Sequence, residues 1–168
     1  MGREEVQIEI MDTTLRDGEQ TSGVSFVPHE KLMIARKLLE DLCVDRIEIG
    51  SARVSRGERK AVESICEWAA RRGLLERVEV LGFVDGHVSV DWIYDAGCRV
   101  INLLSKGSLR HCTYQLRKTP EEHIADIRET ARYAISRGMA VNLYLEDWSN
   151  GMKDSPDYVF QLVDGLLD

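Results

Sequence analysis

The sequence has no apolar run near the length of a bilayer-crossing helix, which needs about 20 such residues, so no membrane span is expected. It has no Cys-x-x-Cys pair. Its four cysteines, Cys43, Cys66, Cys98 and Cys112, stand far apart. That spacing excludes the common zinc and redox motifs. Three of the four lie in apolar patterns, so buried thiols in a reducing compartment are expected. An excess of positive charge is also missing: Lys and Arg total 22 against 29 Asp and Glu, a net charge of −7. This argues against a nucleic-acid partner. The opening Met1-Gly2-Arg3-Glu4-Glu5 leads into no apolar stretch, so no signal peptide is expected and a cytoplasmic location is. Neither Gly-x-Gly-x-x-Gly nor a P-loop follows the first strand-like segment, where nucleotide-binding folds usually place one. Linkers, repeats and low-complexity segments are absent as well.

What is present is ordinary globular material, 43% hydrophobic and 30% charged over 168 residues, enough for one core. Strand-like and helix-like segments alternate five times. Val6 to Asp12 alternates apolar and polar residues and predicts a strand. His29 to Leu42 predicts a helix with Leu32, Ala35, Leu39 and Leu42 on one face. Arg46 to Ile49 is a second strand, closed by Gly50-Ser51. Gly57 to Arg72 is a second helix, with Val62, Ile65, Cys66 and Ala69 inward and Gly73 as its stop. Val78 to Phe83 is a third strand, and Val90 to Ala96 a short helix.

Arg99 to Leu104 predicts a fourth strand, followed by a long polar loop from Ser105 to Lys118. Thr119-Pro120-Glu121-Glu122 combines an N-cap, a proline at the first helical position and a capping-box glutamate. The helix it opens runs to about Arg137, with Ile124, Ile127, Ala131 and Ala134 inward. Ala140 to Glu146 is a fifth strand and Asp147 to Gly151 its loop. Ser155-Pro156-Asp157 opens a last helix.

Five successive βα units imply a parallel sheet with right-handed crossovers. Two architectures compete, a doubly wound sheet and part of a TIM (β/α)8 barrel. Polar residues follow every strand: Arg16 and Asp17, Ser51 and Arg53, Asp85, Ser105 and Lys106, Glu146 and Asp147. Chemistry spread over many strand ends is the barrel habit, and a closed barrel takes roughly 200 residues or more. The expectation is a partial barrel: residues 1–168 as the N-terminal portion of one barrel domain, with no second domain.

The densest chemistry is Met11-Asp12-Thr13-Thr14-Leu15-Arg16-Asp17-Gly18-Glu19-Gln20. A carboxylate, a guanidinium and an amide crowd just past the first strand, and Gly18 eases a turn there. Two readings are open at this point. One is a seat for a metal ion and a developing oxyanion. The other is a strand end carrying a surface Arg–Asp pair.

The nine residues from Asp12 to Gln20 resemble the signature of the Claisen-condensing acyl-CoA/2-oxo-acid synthases, the isopropylmalate, homocitrate and citramalate synthases. Their TIM barrel is shared by hydroxymethylglutaryl-CoA lyase. Val44 to Ser55, Leu81 to Gly86, Asn102 to Ser108 and Tyr144 to Gly151 resemble the citramalate synthase branch. The resemblance covers essentially the whole chain.

It implies roles for matching positions. Asp17 resembles the carboxylate that ligates a catalytic divalent metal (Mg, Mn or Zn). Arg16 resembles the guanidinium facing the keto oxygen. Gln20 resembles an amide lining the acetyl-CoA end of the site. Glu146 resembles the carboxylate implicated in deprotonating the acetyl methyl. Leu81, Leu104 and Tyr144 resemble the wall around the 2-oxo-acid side chain.

The implied reaction joins acetyl-CoA to a small 2-oxo acid. An apolar wall suits the methyl of pyruvate and leaves a second carboxylate unpaired, so (R)-citramalate formation for isoleucine synthesis is expected first. The 2-isopropylmalate and homocitrate synthases are the alternatives, and lyase chemistry is a third option. The family's His-x-His metal pair has no counterpart among His29, His87, His111 and His123. Turnover by these residues alone is therefore not expected. A non-catalytic partial barrel that works by association is the reading of another class. The family implies a homodimer.

Several residues carry weaker expectations. Asp12 and Glu48, carboxylates within strands, are candidates to buttress Arg16 or each other. Lys106 and His111 are expected in a solvated loop, with approach to the coenzyme A or the active site as the alternative, His29 at a helix start and His123 on an exposed helix side. Trp68 and Trp92 are expected to pack, and Trp148 either to pack or to close over substrate.

Overall fold

The structure, a computed structural model, describes residues 8–167. Five parallel strands run β1 Met11–Asp12, β2 Arg46–Ser51, β3 Val78–Phe83, β4 Val100–Lys106 and β5 Ala140–Glu146. Their order in the sheet is β1-β2-β3-β4-β5. A doubly wound sheet reverses its strand order part-way. This one does not, so right-handed crossovers stack every helix on one side and curl the sheet into an open part of a barrel.

The helices are α1 Pro28–Arg36, α2 Arg56–Arg72, α3 Val88–Asp95, α4 Pro120–Ser136, α5 Trp148–Asp154 and α6 Pro156–Leu167. Their ends follow local chemistry. Ser55 caps α2 by accepting from the Glu58 N–H at 3.0 Å, and Gly73 ends it at φ 69°. Thr119 and Glu122 form the expected reciprocal capping box on α4.

Alternation along the strands divides the sheet into two faces. Ile47, Ile49, Val78, Val80, Ile101 and Leu103 are buried in the core shared with the helices. The opposite parity carries Glu48, Glu79, Asn102, Asn142 and Tyr144. Register aligns them across strands, Glu48 with Glu79, Asn102 with Asn142, and Leu104 with Tyr144. The inner face is therefore polar at mid-height.

The structure corrects several expectations. The first strand is only Met11–Asp12; Ile8 and Ile10 are exposed, and Val6 and Gln7 lie outside the described residues. At Ile10 the N–H donates to the Asp45 carboxylate at 2.7 Å, which takes the place of a ladder carbonyl. Leu42 is exposed. The chain widens into a looser helical turn over Lys37–Asp41, which shifts the phase so that Leu38 and Leu39 face inward.

Lys106 belongs to β4 and not to a loop. The segment after it is partly ordered by a wide helical turn at His111–Leu116. Residues 148–151 belong to α5, which is launched by Asp147 at φ 68°. His123 is buried, not exposed: its ring nitrogens lie 2.9 Å from the Ser105 hydroxyl and 2.7 Å from the Tyr158 hydroxyl. Three thiols are buried as expected, Cys66, Cys98 and Cys112, while Cys43 is exposed. Among the described residues no helix is long and apolar enough to cross a membrane.

Candidate active site

The chain turns sharply after β1. The N–H groups of Arg16, Asp17 and Gly18 all converge on the Thr13 carbonyl, at 3.1, 2.9 and 3.1 Å. Gly18–Gln20 follows as one tight helical turn. This folding throws Arg16, Asp17 and Gln20 toward the C-terminal ends of the strands. Leu81 from β3, Leu104 from β4, and Tyr144 and Glu146 from β5 reach the same space. All seven line one open cavity of about 960 Å³, together with Phe83, Leu143 and Trp148. Each side chain expected at the site is thus on a common wall.

Arg16 is held between two carboxylates. Its Nη1 donates to Asp17 Oδ1 at 2.8 Å, and its Nε donates to Glu48 Oε2 in a short hydrogen bond. Glu48 is completely buried, and its other oxygen accepts from Asn102 Nδ2 at 2.7 Å. The same Asn102 amide donates to the Tyr144 hydroxyl at 2.9 Å, and Asn102 Oδ1 accepts from Asn142 at 3.0 Å. Asn142 reaches Glu79, which also pairs with Arg46 at 3.1 Å.

A continuous polar ladder therefore runs beneath the cavity. Burial raises the Glu79 carboxyl above the usual carboxylate range. Burial also raises the Tyr144 phenol, helped by the nearby negative charge of Glu48. Tyr144 remains a neutral hydroxyl on an otherwise apolar ring.

Of the two buttressing candidates, Glu48 holds Arg16, whereas Asp12 does not. Asp12 accepts from the Thr14 N–H and hydroxyl at 2.9 and 3.0 Å. At the far rim Glu146 forms a short ion pair with Lys106, its register partner on β4. The next residue, Asp147, accepts from Ser108 at 2.7 Å, and its carboxyl is held below the usual range chiefly by that bond. His111 lies 3.6 Å from the same carboxylate. Lys106 and His111 are both built into this rim and do not sit in a free loop.

Asn102 and Lys31 are the residues that sequence reasoning missed. Asn102 had a signal: a polar residue inside the apolar run of β4 costs energy unless something pairs with it. Lys31 had one too, since it lies one turn before Ala35 on the inward face of α1.

Among the described residues no cluster of three or more His, Cys, Asp or Glu converges as a metal site would. Asp17 stands alone as a candidate ligand, with a side chain 63% exposed. Catalytic zinc sites use about three protein ligands. The donor set present therefore does not by itself make a metal centre.

Comparison with known proteins decides the kinship. The HMGL-like family profile matches residues 7–165. The chain belongs to the HMGL-like family. The (R)-citramalate synthase CimA of Methanocaldococcus jannaschii is 40% identical over 143 residues, covering 84% of this chain and 28% of that protein. A 2-isopropylmalate synthase of Saccharolobus solfataricus is 37% identical over 158 residues, 94% of this chain and 39% of that protein. The homocitrate synthase AksA of Methanopyrus kandleri is 40% identical over 142 residues, 84% and 34% respectively.

The chain thus spans well under half the length of these relatives. Their near-equal identities do not select among the three products they are named for. Among solved structures, the HMG-CoA lyase of Bacillus subtilis superposes with a TM-score of 0.68 at 16% identity, over 96% of this chain and 54% of that one. That likeness supports the barrel architecture.

Proposed function

We propose that this HMGL-like chain carries the N-terminal half of the site of an acyltransferase that condenses acetyl-CoA with a small 2-oxo acid. Pyruvate is the first choice, giving (R)-citramalate. The observation that carries the reading is the convergence of Arg16, Asp17, Gln20, Leu81, Leu104, Tyr144 and Glu146 on one cavity.

The roles are those that the family resemblance implies, and the shared cavity supports them. Arg16 is fixed by Glu48 and Asp17 and aims a preorganised cation at the oxyanion born when a carbon nucleophile attacks the keto group. Glu146 takes the methyl proton of acetyl-CoA, and Lys106 holds its carboxylate in place. Water then cleaves the thioester and releases coenzyme A. Leu81, Leu104 and the Tyr144 ring contact the 2-oxo-acid side chain. The wall offers an alkyl group apolar surface and leaves a second carboxylate unpaired there, which sets 2-oxoglutarate last and 2-oxoisovalerate second. Gln20 lines the acetyl-CoA end.

Asp17 would supply one carboxylate to a divalent cation, which when bound would polarise the keto oxygen. Completing the coordination takes donors outside the described residues. This chain alone is therefore expected not to turn over, and a homodimeric, cytoplasmic parent enzyme belongs to the same reading.

Saturation-transfer NMR on the chain with pyruvate, 2-oxoisovalerate and 2-oxoglutarate tests the site. A pyruvate transfer signal that disappears in Arg16→Met supports it. Preferred binding of 2-oxoisovalerate or of 2-oxoglutarate overturns the pyruvate assignment.

A second reading, association through the open sheet edge, has its own observation. An apolar groove of about 430 Å³ beside β5 is lined by Ile127, Ala131, Ile135, Val141, Leu143 and Leu166. Size-exclusion chromatography checks it, and a monomer at high concentration rejects it.

A further inference from the structure

Lys31 sits on α1 with its side chain 1% exposed, and the Nζ has three partners. It donates to the Leu15 carbonyl at 3.1 Å and pairs with Glu19 Oε2 at 2.5 Å and Glu58 Oε2 at 2.7 Å. Each carboxylate uses its other oxygen on backbone. Glu19 Oε1 accepts from the Phe26 N–H at 3.0 Å, and Glu58 Oε1 accepts from the Ser51 N–H at 3.1 Å. Gly50 leaves room for this, since a Cβ there would collide with the Glu58 carboxylate.

One ammonium thus reaches three backbone points, directly or through one carboxylate. They are the residue before Arg16, the approach to α1 and the end of β2. Burying an ion triad is a poor way to gain stability, because apolar side chains of similar volume often do as well or better. What a triad does offer is direction: fixed donors and acceptors hold backbone where apolar packing would allow sliding.

We propose that Lys31 is a positioning residue, and that the Lys31–Glu19–Glu58 triad locks the turn that presents Arg16 and Asp17. The inference concerns the geometry of that turn, and its relevance to catalysis rests on the function proposed above.

Hydrogen exchange and NMR of the 15N-labelled chain test it. The reporters are the amides of Arg16, Asp17 and Gly18 and the Arg16 Nε–H, none of which is hydrogen-bonded to Lys31. In Lys31→Met, and in Glu19→Gln where Glu58 still pairs the lysine, the three amides should exchange at least about tenfold faster by local opening. The Arg16 Nε–H resonance should move, while the Ile101 and Leu103 amides of β4 keep their rates.

Unchanged turn amides in Glu19→Gln overturn the proposal. So does equal acceleration in β4, or an unmoved Arg16 resonance. If Lys31→Met does not fold, Glu19→Gln alone decides. The pyruvate experiment separates the two readings: a wild-type chain that gives no pyruvate transfer signal counts against the function proposed above, while the exchange pattern still reads the lock.

Discussion

Arg16 Nε donates to Glu48, a carboxylate with no exposure to solvent, although the two residues stand 32 positions apart. The guanidinium also holds Asp17 beside it at 2.8 Å. The cation at the cavity is thus anchored from below by a group that substrate cannot reach.

Removing that anchor should be costly. Glu48→Leu leaves both the Arg16 guanidinium and the Asn102 amide without their buried acceptor, and breaking such a pair costs about 3–5 kcal/mol. Glu48→Gln keeps an acceptor and should cost less, about 1–3 kcal/mol. Urea denaturation of the chain reads both. Equal stability of Glu48→Leu and the parent would show that the ladder carries no weight.

Glu146→Gln removes the proposed base but keeps the shape of the side chain. In a turnover-competent polypeptide carrying these residues, solvent exchange of the acetyl-CoA methyl protons should slow by about 10²–10⁴-fold. The NMR signal of the deuterated methyl measures it. An unchanged exchange rate would place the base elsewhere.

His123 should make the fold acid-sensitive. Burial holds its imidazole below the usual histidine range, with Lys118 and Lys106 pushing the same way and Asp126 opposing. Ser105 and Tyr158 occupy its two nitrogens. The folded state therefore binds this proton less readily than the unfolded chain. The stability is complete above the ordinary histidine pKa, about 6.5, and declines as the pH falls below it, by at most about 1.4 kcal/mol per pH unit. Urea midpoints at pH 7.5, 6.5 and 5.5 should fall more steeply for the parent than for His123→Gln. His29, His87 and His111 are common to both, so the difference isolates His123. Parallel pH profiles would contradict this.

Two glycines should respond oppositely to alanine. A Cβ on Gly151 would strike the Gly107 carbonyl oxygen, backbone against backbone, so Gly151→Ala should destabilise by about 1–3 kcal/mol. A Cβ on Gly57 meets only Ser55 Oγ at 3.6 Å. Gly57→Ala in α2 should be neutral or stabilise by up to about 1 kcal/mol. Thermal melts of the two variants check the contrast.

Much of this was legible before any coordinates. Thr119 and Glu122 announce the start of α4 because a cap is a local hydrogen-bond pattern. Val78 to Phe83 and Ala140 to Glu146 read as strands with the observed limits. What misled was local too. Asp147 to Gly151 reads as loop because Asn150 and Gly151 favour turns. Yet Asp147 takes the left-handed conformation, and its carboxylate binds Ser108, 39 residues away, which lets α5 begin. His123 looks solvated on a helix rich in charge, and only the partners Ser105 and Tyr158 explain its burial.

The amino-acid order alone determined the alternation of strands and helices, and with it the side of each strand that faces the helices, because caps and periodicity act within a few residues. It also placed Arg16 and Asp17 just past a strand end. The pairings across the fold were decided only in three dimensions. Glu48 lies under Arg16, Lys31 reaches Glu19 and Glu58, and Lys106 lies beside Glu146 because sheet register and the packing of α1 on α2 bring distant residues together. A buried charge accepts only partners that reach it in space, and the order of residues along the chain does not state that distance.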